Sequence, residues 1–162
     1  MESNRGFTLL ELLVVMALIV ILSAVAVPSV LESVHRNSVW TASELIGSQI
    51  RSARLKAISH NKSYRVRFDC PEAGQFRVLE VTGNPTIDTA TDRCSTYQTD
   101  DSGVFPMPSN VTYDVAPTLT VNSRGVFSSS DDIPQTIVVT YGGNSSRSLT
   151  VSLTGQITFA TY

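Results

Sequence analysis

The feature that most constrains this chain is an apolar run near its start, from Phe7 to Val27. Only three residues in the run are polar, namely Thr8, Glu11 and Ser23. At a rise of about 1.5 Å per residue, a helix of this length spans about 30 Å, the thickness of the hydrocarbon core of a bilayer. The run therefore predicts a segment that enters a membrane, either as a lasting helix or as a secretory signal.

The residues around the run leave both possibilities open. Ala24-Val25-Ala26 has the small-x-small pattern of a signal-peptide cleavage site. Cleavage there would release a soluble periplasmic β domain, whereas an uncleaved run would be a simple anchor. Against an ordinary signal, the leader carries Glu2 as well as Arg5, and Glu11 interrupts the apolar region. A carboxylate in hydrocarbon is costly unless it is paired or lies near an interface, so Glu11 needs an explanation.

The segment Gly6-Phe7-Thr8-Leu9-Leu10-Glu11, with a short polar leader before it, resembles the class III signal of type IV prepilins and type II secretion pseudopilins. The resemblance implies that a prepilin peptidase cuts between Gly6 and Phe7 and methylates the new amino terminus at Phe7. It also implies that Glu11 meets the amine of a neighbouring subunit and sets axial register during filament assembly. Each charge is costly alone in lipid, and the two can neutralise one another.

The pattern after the run predicts a second, amphipathic helical part. Apolar residues recur at spacings of three and four from Val39 to Ala57, which indicates one stripe of a helix. We expect one long helix from about Phe7 to about His60, kinked near Pro28 because proline removes a hydrogen bond. The expected parts are a leader (1–6), a transmembrane and filament-core helix (7–27), an amphipathic helix (28–60) and a β-rich domain (61–162).

The β-rich region contains short alternating runs bounded by turn residues. The stretch from Gly83 to Pro108 has little periodicity and predicts a long loop pinned by Cys94. Gly142-Gly143-Asn144 and Thr154-Gly155 predict hairpin turns. The fold class is therefore α+β, with the long helix packed on an antiparallel β domain, an architecture that pilins share by resemblance. The expected strands are 64–69, 75–81, 111–115, 118–121, 136–141, 148–153 and 156–161.

The C-terminal third of the chain narrows the resemblance to one family. Arg124-Gly125 lies in a Val-Asn-Ser-Arg-Gly-Val-Phe stretch, and Leu149 to Ile157 resembles the final hairpin of the GspH/FimT family of minor pilins and pseudopilins. This implies a structural subunit, present at low copy in a type IV pilus or a type II secretion pseudopilus. The implied location is the bacterial inner membrane, single-pass with a periplasmic domain, and then the filament. Its partners would be prepilin peptidase, inner-membrane lipid and other major and minor pilins or pseudopilins.

Two cysteines, Cys70 and Cys94, both follow the apolar run. If that run exports the rest of the chain, they lie in an oxidising compartment and we expect a disulfide, with free thiols as the alternative. A bridge that closes about 25 residues contributes roughly 3 to 4 kcal/mol. Their mid-chain position also favours a minor subunit, because major pilins usually place the pair to staple a C-terminal loop.

The sequence contains no catalytic or metal-binding pattern. His35 and His60 both fall on the predicted helix, and the chain has no G-x-S-x-G, H-x₃-H or C-x-x-C motif. We therefore expect no enzyme activity, no cofactor, no metal and no small-molecule substrate.

A cluster of basic residues indicates an alternative function. The net charge of −2 gives no general attraction to nucleic acid, but Lys62, Arg65 and Arg67 are candidate DNA contacts. The alternative is a DNA-binding minor pilin for DNA uptake in natural transformation. Family members that bind DNA present basic residues near the C-terminus, whereas Gly155 to Tyr162 contains no Arg or Lys.

Overall fold

The computed structural model describes residues 8–90, 92–129, 134–143 and 145–161. The chain divides into two compact units, Met1–His35 and Arg36–Tyr162. Helix α1 (Leu9–His60) contributes to both units and confirms the predicted long helix from Leu9 onward, whereas Phe7 lies outside the described residues. Pro28 lies inside α1, and the kink expected there stays a prediction.

The second unit combines the later part of α1 with two antiparallel sheets. One sheet has the strand order β3-β2-β1-β5-β6, and the other has the order β4-β7-β8-β9. Each pair of neighbouring strands is antiparallel, so the α+β class is confirmed. The elements after α1 are β1 (Ser63–Phe68), β2 (Gln75–Val81), α2 (Pro85–Asp88), β3 (Phe105–Pro106), β4 (Val111–Val115), β5 (Leu119–Val121), β6 (Phe127–Ser129), β7 (Gln135–Tyr141), β8 (Ser145–Val151) and β9 (Ile157–Thr161).

The stretch predicted as one long loop, 83–108, contains two short elements. Helix α2 begins with Pro85, and the side chain of Asn84 caps it by accepting a hydrogen bond from the Thr86 amide. A single capped turn leaves no periodic signal, which explains why the pattern missed it. Strand β3 has only two residues, Phe105 and Pro106.

The strand predictions were wrong in two other places. Strand β6 was missed because it has three residues, of which only Phe127 is apolar, too few for an alternating pattern. Strand β8 runs from Ser145 to Val151, whereas 148–153 was predicted. It begins earlier because backbone pairing continues to the Tyr141–Ser145 pair at the hairpin, and it ends earlier because pairing with β9 stops at the Val151–Ile157 pair. Asn144 of the predicted turn lies outside the described residues.

The core of the second unit forms where the apolar stripe of α1 meets both sheets. The helix contributes buried residues such as Ala42, Ile46 and Ile50, and the sheets contribute large side chains such as Phe76 and Leu149. Gly47 of the same stripe lets the sheet come close, since a Cβ there would lie 3.1 Å from Cζ of Phe159. The helical spacing of these residues predicted this stripe, and its burial confirms it.

Gly125, between β5 and β6, occupies a position that only glycine fits. Its φ is +76°, and a Cβ there would lie 2.7 Å from Cδ1 of Ile58. Its carbonyl accepts a hydrogen bond of 3.0 Å from Nε of Arg54. The Arg124-Gly125 motif therefore marks a point where a turn of the β domain fits tightly against α1.

We expect Gly125→Ala to lower the free energy of unfolding by about 2 to 4 kcal/mol, because a left-handed backbone and an overpacked contact add together. Gly83→Ala is the matched control, since Gly83 has a φ of +77° and nothing within 4 Å of its Cβ position. That control should lose only about 1 to 2 kcal/mol. Denaturant unfolding of the full chain in detergent measures both values, and equal losses would contradict the packing argument.

Candidate functional site: an exposed apolar helix and a pinned loop

Helix α1 begins with a capping arrangement that involves Thr8 and Glu11. Oγ1 of Thr8 accepts a hydrogen bond of 3.2 Å from the Glu11 amide, and the Thr8 carbonyl accepts one of 3.2 Å from the Leu12 amide. The T-x-x-E spacing is that of a capping box, which is a local sequence signal of a helix start. A carboxylate in the first turn is also favoured by the helix dipole. Glu11 therefore lies where local structure already favours a negative charge.

The first part of α1 is exposed along its whole length. Every residue from Thr8 to Val34 is exposed within the chain. An 18-residue window of the helix has a mean hydropathy of 2.9, and none of this window is buried. By length and composition, α1 is the one helix among the described residues that could cross a membrane. Because none of the window is buried, it is not a core helix of this chain, and a surface this apolar needs a cover of lipid or protein.

A disulfide joins Cys70 to Cys94, which confirms the predicted pair. It ties the loop after α2 to the end of β1. Arg77 on β2 is fully buried and donates hydrogen bonds to the carbonyls of Cys94 and Ser102. Its guanidinium also lies 4.0 Å from the ring centroid of Tyr97. The loop is therefore held by its backbone carbonyls as well as by the covalent bridge.

A buried ion pair completes this loop. Nη2 of Arg93 lies 2.8 Å from Oδ1 of Asp101, and Nη1 lies 2.5 Å from Oδ2, with both side chains almost fully buried. Burial alone raises the pKa of the Asp101 carboxyl. Hydrogen bonds from Arg93 and from the amides of Gln98 and Glu80 outweigh burial and hold that pKa below its usual range. The sequence pattern gave no sign of this pair, since buried arginines in a loop have no periodic signal.

The structure gives the three candidate DNA contacts different polar neighbours. Lys62 lies 2.6 Å from Asp100 and 2.8 Å from Glu80, and these two carboxylates raise its pKa above the usual range. Arg65 and Arg67 instead line a small pocket near Asp88, whose carbonyl accepts a 3.4 Å hydrogen bond from Arg65. Lys62 is therefore occupied by acids rather than available to phosphate.

No group of His, Cys, Asp or Glu within the described ranges could hold a metal ion. His60 instead lies beside Tyr64, with 3.0 Å between Nδ1 and the phenol oxygen.

Two family models match the chain. Residues 1–27 match the prokaryotic N-terminal methylation motif, and residues 42–156 match the type II transport protein GspH. The second match covers more than half of the chain.

The chain belongs to the GspH family. The family consists of structural pilin and pseudopilin subunits rather than known enzymes. The methylation motif includes Gly6 and Phe7, which lie outside the described residues, and it includes Glu11. The motif and the exposed apolar helix together indicate a globular domain anchored to a membrane.

Solved structures of two proteins share this fold. The minor pseudopilin EpsH from the type 2 secretion system of Vibrio cholerae is 16% identical, with 76% of this chain and 97% of that chain covered at a TM-score of 0.53. The type IV minor pilin FimU of Pseudomonas aeruginosa is 16% identical, with 77% and 90% covered at a TM-score of 0.54. No curated protein matches the chain. The domain of this chain thus shares its fold with a minor pseudopilin and a minor pilin.

We expect Asp101→Asn to lower the free energy of unfolding by about 3 to 5 kcal/mol, because it leaves buried Arg93 without a counter-charge. Asp100→Asn, at the partly exposed pair with Lys62, is the control and should cost much less. The folded-state pKa of Asp101 is depressed, so its contribution is present above the unfolded pKa and is lost as pH falls through the folded one. The gap between wild type and Asp101→Asn should therefore shrink below about pH 4, as unfolding at several pH values would reveal.

Proposed function

We propose that this chain is a minor pilin or pseudopilin, a structural subunit present at low copy in a type IV pilus or a type II secretion pseudopilus. The observation that carries the proposal is the presence of an N-terminal methylation motif and a GspH domain in one chain. EpsH belongs to a secretion system and FimU to a pilus, and the fold fits both kinds of filament. The β domain would face other subunits.

The proposed maturation begins at the leader. Prepilin peptidase would cut after Gly6 and methylate the amine of Phe7, which then becomes the first residue. Phe7 directly precedes Thr8, the cap of α1, so a cationic amine would enter the membrane together with the start of the helix. An isolated ammonium in hydrocarbon is costly, and a carboxylate is the group that offsets this cost.

Glu11 is suited to that role. No partner for its carboxylate lies among the described residues, and only its backbone amide takes part in the capping contact with Thr8. Its carboxylate is therefore available for an amine. Pairing with the Phe7 amine of a neighbouring subunit would fix the axial register of one subunit against the next.

The proposed location follows from the helix and the disulfide. The first part of α1 would cross the inner membrane before assembly and lie in the filament core afterwards. The disulfide between Cys70 and Cys94 supports a periplasmic β domain, because disulfides persist in oxidising compartments. The partners would be prepilin peptidase, membrane lipid and other pilins or pseudopilins. The geometry does not favour DNA uptake, because Lys62 is paired with Glu80 and Asp100.

Intact-mass analysis and N-terminal sequencing of the protein from membranes should give a chain that begins with N-methylated Phe7. Replacement of Gly6 by Leu should leave the leader attached, because a bulky side chain obstructs close approach by a peptidase. A mature chain that begins at Val27 would instead identify an ordinary secreted domain and would overturn the proposal.

We expect Glu11→Val to be processed and inserted normally but to be depleted from sheared filaments by more than about tenfold. A buried amine without its counter-charge costs about 3 to 5 kcal/mol, which exceeds what a tenfold change requires. Ser23→Val is the matched control, because it removes a polar side chain from the same run without changing charge. Immunoblots of membrane and filament fractions measure the ratio, and equal filament content for both variants would contradict the role of Glu11.

A further inference from the structure

The sheet that contains β1 and β2 carries a small pocket on the side that faces away from α1. Residues of β1 alternate in direction, so Tyr64 and Val66 lie in the core while Arg65 and Arg67 lie on the opposite side. The pocket has a volume of about 190 Å³ and is open to solvent. We call it the arginine pocket; its lining includes Arg65, Arg67, Leu79, Val81, Asp88 and Arg93.

Arg67 is the member of the arginine pocket that lacks a partner. It is partly buried, yet no described residue hydrogen-bonds, ion-pairs or stacks with its guanidinium. Other arginines of the second unit that are partly or fully buried have such partners; Arg147, for example, lies 3.9 Å from the ring centroid of Trp40. These partnered arginines are Arg54, Arg65, Arg77, Arg93 and Arg147. A partly desolvated cation without a partner is unfavourable, and an anion offsets that cost.

Arg65 can contribute to the same anion. Its Nη1 makes a single long contact of 3.4 Å with the carbonyl of Asp88, whereas a guanidinium has five N–H donors. Arg65 and Arg67 are two residues apart on one strand, so their Cα atoms lie about 6.6 Å from each other. Two long side chains at this separation can reach one anionic group between them.

The carboxylate of Asp88 is directed to its own loop rather than to the arginines. It accepts hydrogen bonds of 2.9 Å from the amide and the hydroxyl of Thr82 and from the amide of Gly83. Arg65 contacts the carbonyl of Asp88 and not this carboxylate. Asp88 therefore leaves both arginines without a counter-charge.

The other charges around the arginine pocket have partners of their own. Glu80 also lines the pocket, and its carboxylate lies 2.8 Å from Nζ of Lys62. Arg93 is paired with Asp101, with 2.8 Å between Nη2 and Oδ1. The free charge of the pocket is therefore positive, and it belongs to the two arginines of β1.

The size and lining of the arginine pocket favour a carboxylate as the ligand. Its volume is below the range of about 300 to 1,000 Å³ that is typical of small-molecule sites, so it suits one side chain rather than a nucleotide. Guanidinium groups bind a planar carboxylate through strong, charge-assisted hydrogen bonds. Leu79 is only 2% exposed, and together with Val81 it offers apolar surface to the methylene groups beside that carboxylate. Asp88 and Glu80 at the pocket repel a backbone of repeated phosphates.

We propose that the arginine pocket binds a carboxylate side chain from an acidic segment of another protein, through Arg65 and Arg67. The inference goes beyond the proposed function and does not depend on it, because a filament subunit with an empty pocket could still be processed and assembled.

Fluorescence anisotropy with the purified full chain in a neutral detergent tests the proposal. The probe is a capped peptide of about ten residues in which glutamate alternates with serine, labelled with an uncharged fluorophore. A matched peptide carries glutamine in place of glutamate, and a single-stranded DNA of the same length carries the same label. At about 0.15 M salt we expect the glutamate peptide to bind at least about tenfold more tightly than either of the others.

Arginine variants assign the binding to the pocket. Arg67→Gln should weaken binding of the glutamate peptide at least about tenfold, and Arg65→Gln should weaken it as well. Arg67→Lys keeps the charge but loses the planar fork, so its affinity should fall between those of wild type and Arg67→Gln. Arg51→Gln is the matched control, because Arg51 is an exposed arginine of α1 without a partner among the described residues. This control should bind the peptide as the wild type does.

The unfolding midpoint separates loss of binding from loss of folding. Arg67→Gln removes no contact within the described part of the chain, so its midpoint should equal that of the wild type. Equal peptide affinities for Arg67→Gln and Arg51→Gln would overturn the proposal, as would the absence of peptide binding. Tighter binding of DNA than of the glutamate peptide would identify a phosphate site and would also overturn it. None of these results bears on the proposed function, which the N-terminal mass and the filament content test separately.

Discussion

The second unit depends on one constraint, which is that two sheets must share the same narrow stripe of α1. Small residues meet this constraint. Ala42, Gly47 and Ala53 are buried on this stripe, and Gly47 leaves room for the ring of Phe159. Gly125 does the same from the sheet side, because its missing Cβ makes room for Ile58. Since interiors pack at crystal-like density, each of these positions fixes the distance between helix and sheet, and the sheets cannot shift independently.

The loop that follows β2 is held by a different kind of interaction. It has little apolar periodicity, so it cannot be held by a hydrophobic face of its own. The disulfide fixes Cys94, while buried Arg77 donates to the carbonyl of Cys94 and buried Arg93 donates to the carbonyls of Thr96 and Glu80. Asp101 supplies the counter-charge that makes buried Arg93 tolerable. Covalent closure limits the freedom of the unfolded chain, while the ion pair and carbonyl contacts select one folded arrangement of the loop.

The sequence predicted the elements with strong periodicity and missed those without it. Helix α1, the alternating β1 and the buried stripe all leave repeated signals, and the structure contains each of them. The disulfide followed from chemistry, because only Cys70 and Cys94 were available. The Arg93–Asp101 pair, the Trp40–Arg147 stack and α2 depend on contacts between distant residues or on a single turn, which no local pattern encodes. The T-x-x-E spacing at Thr8 is a local signal that predicts the start of α1. It lies within the segment that resembles a prepilin signal.

The same helix carries two charges of opposite kind that the described residues do not neutralise, Glu11 in the first unit and Arg51 in the second. Elsewhere in the domain, Lys62 and buried Arg93 have carboxylate partners. A carboxylate within a membrane-length apolar run is unfavourable for a chain that stays alone. The proposed pairing of Glu11 with an amine of a neighbouring subunit would offset this cost, which is the physical basis for proposing that the chain functions in an assembly.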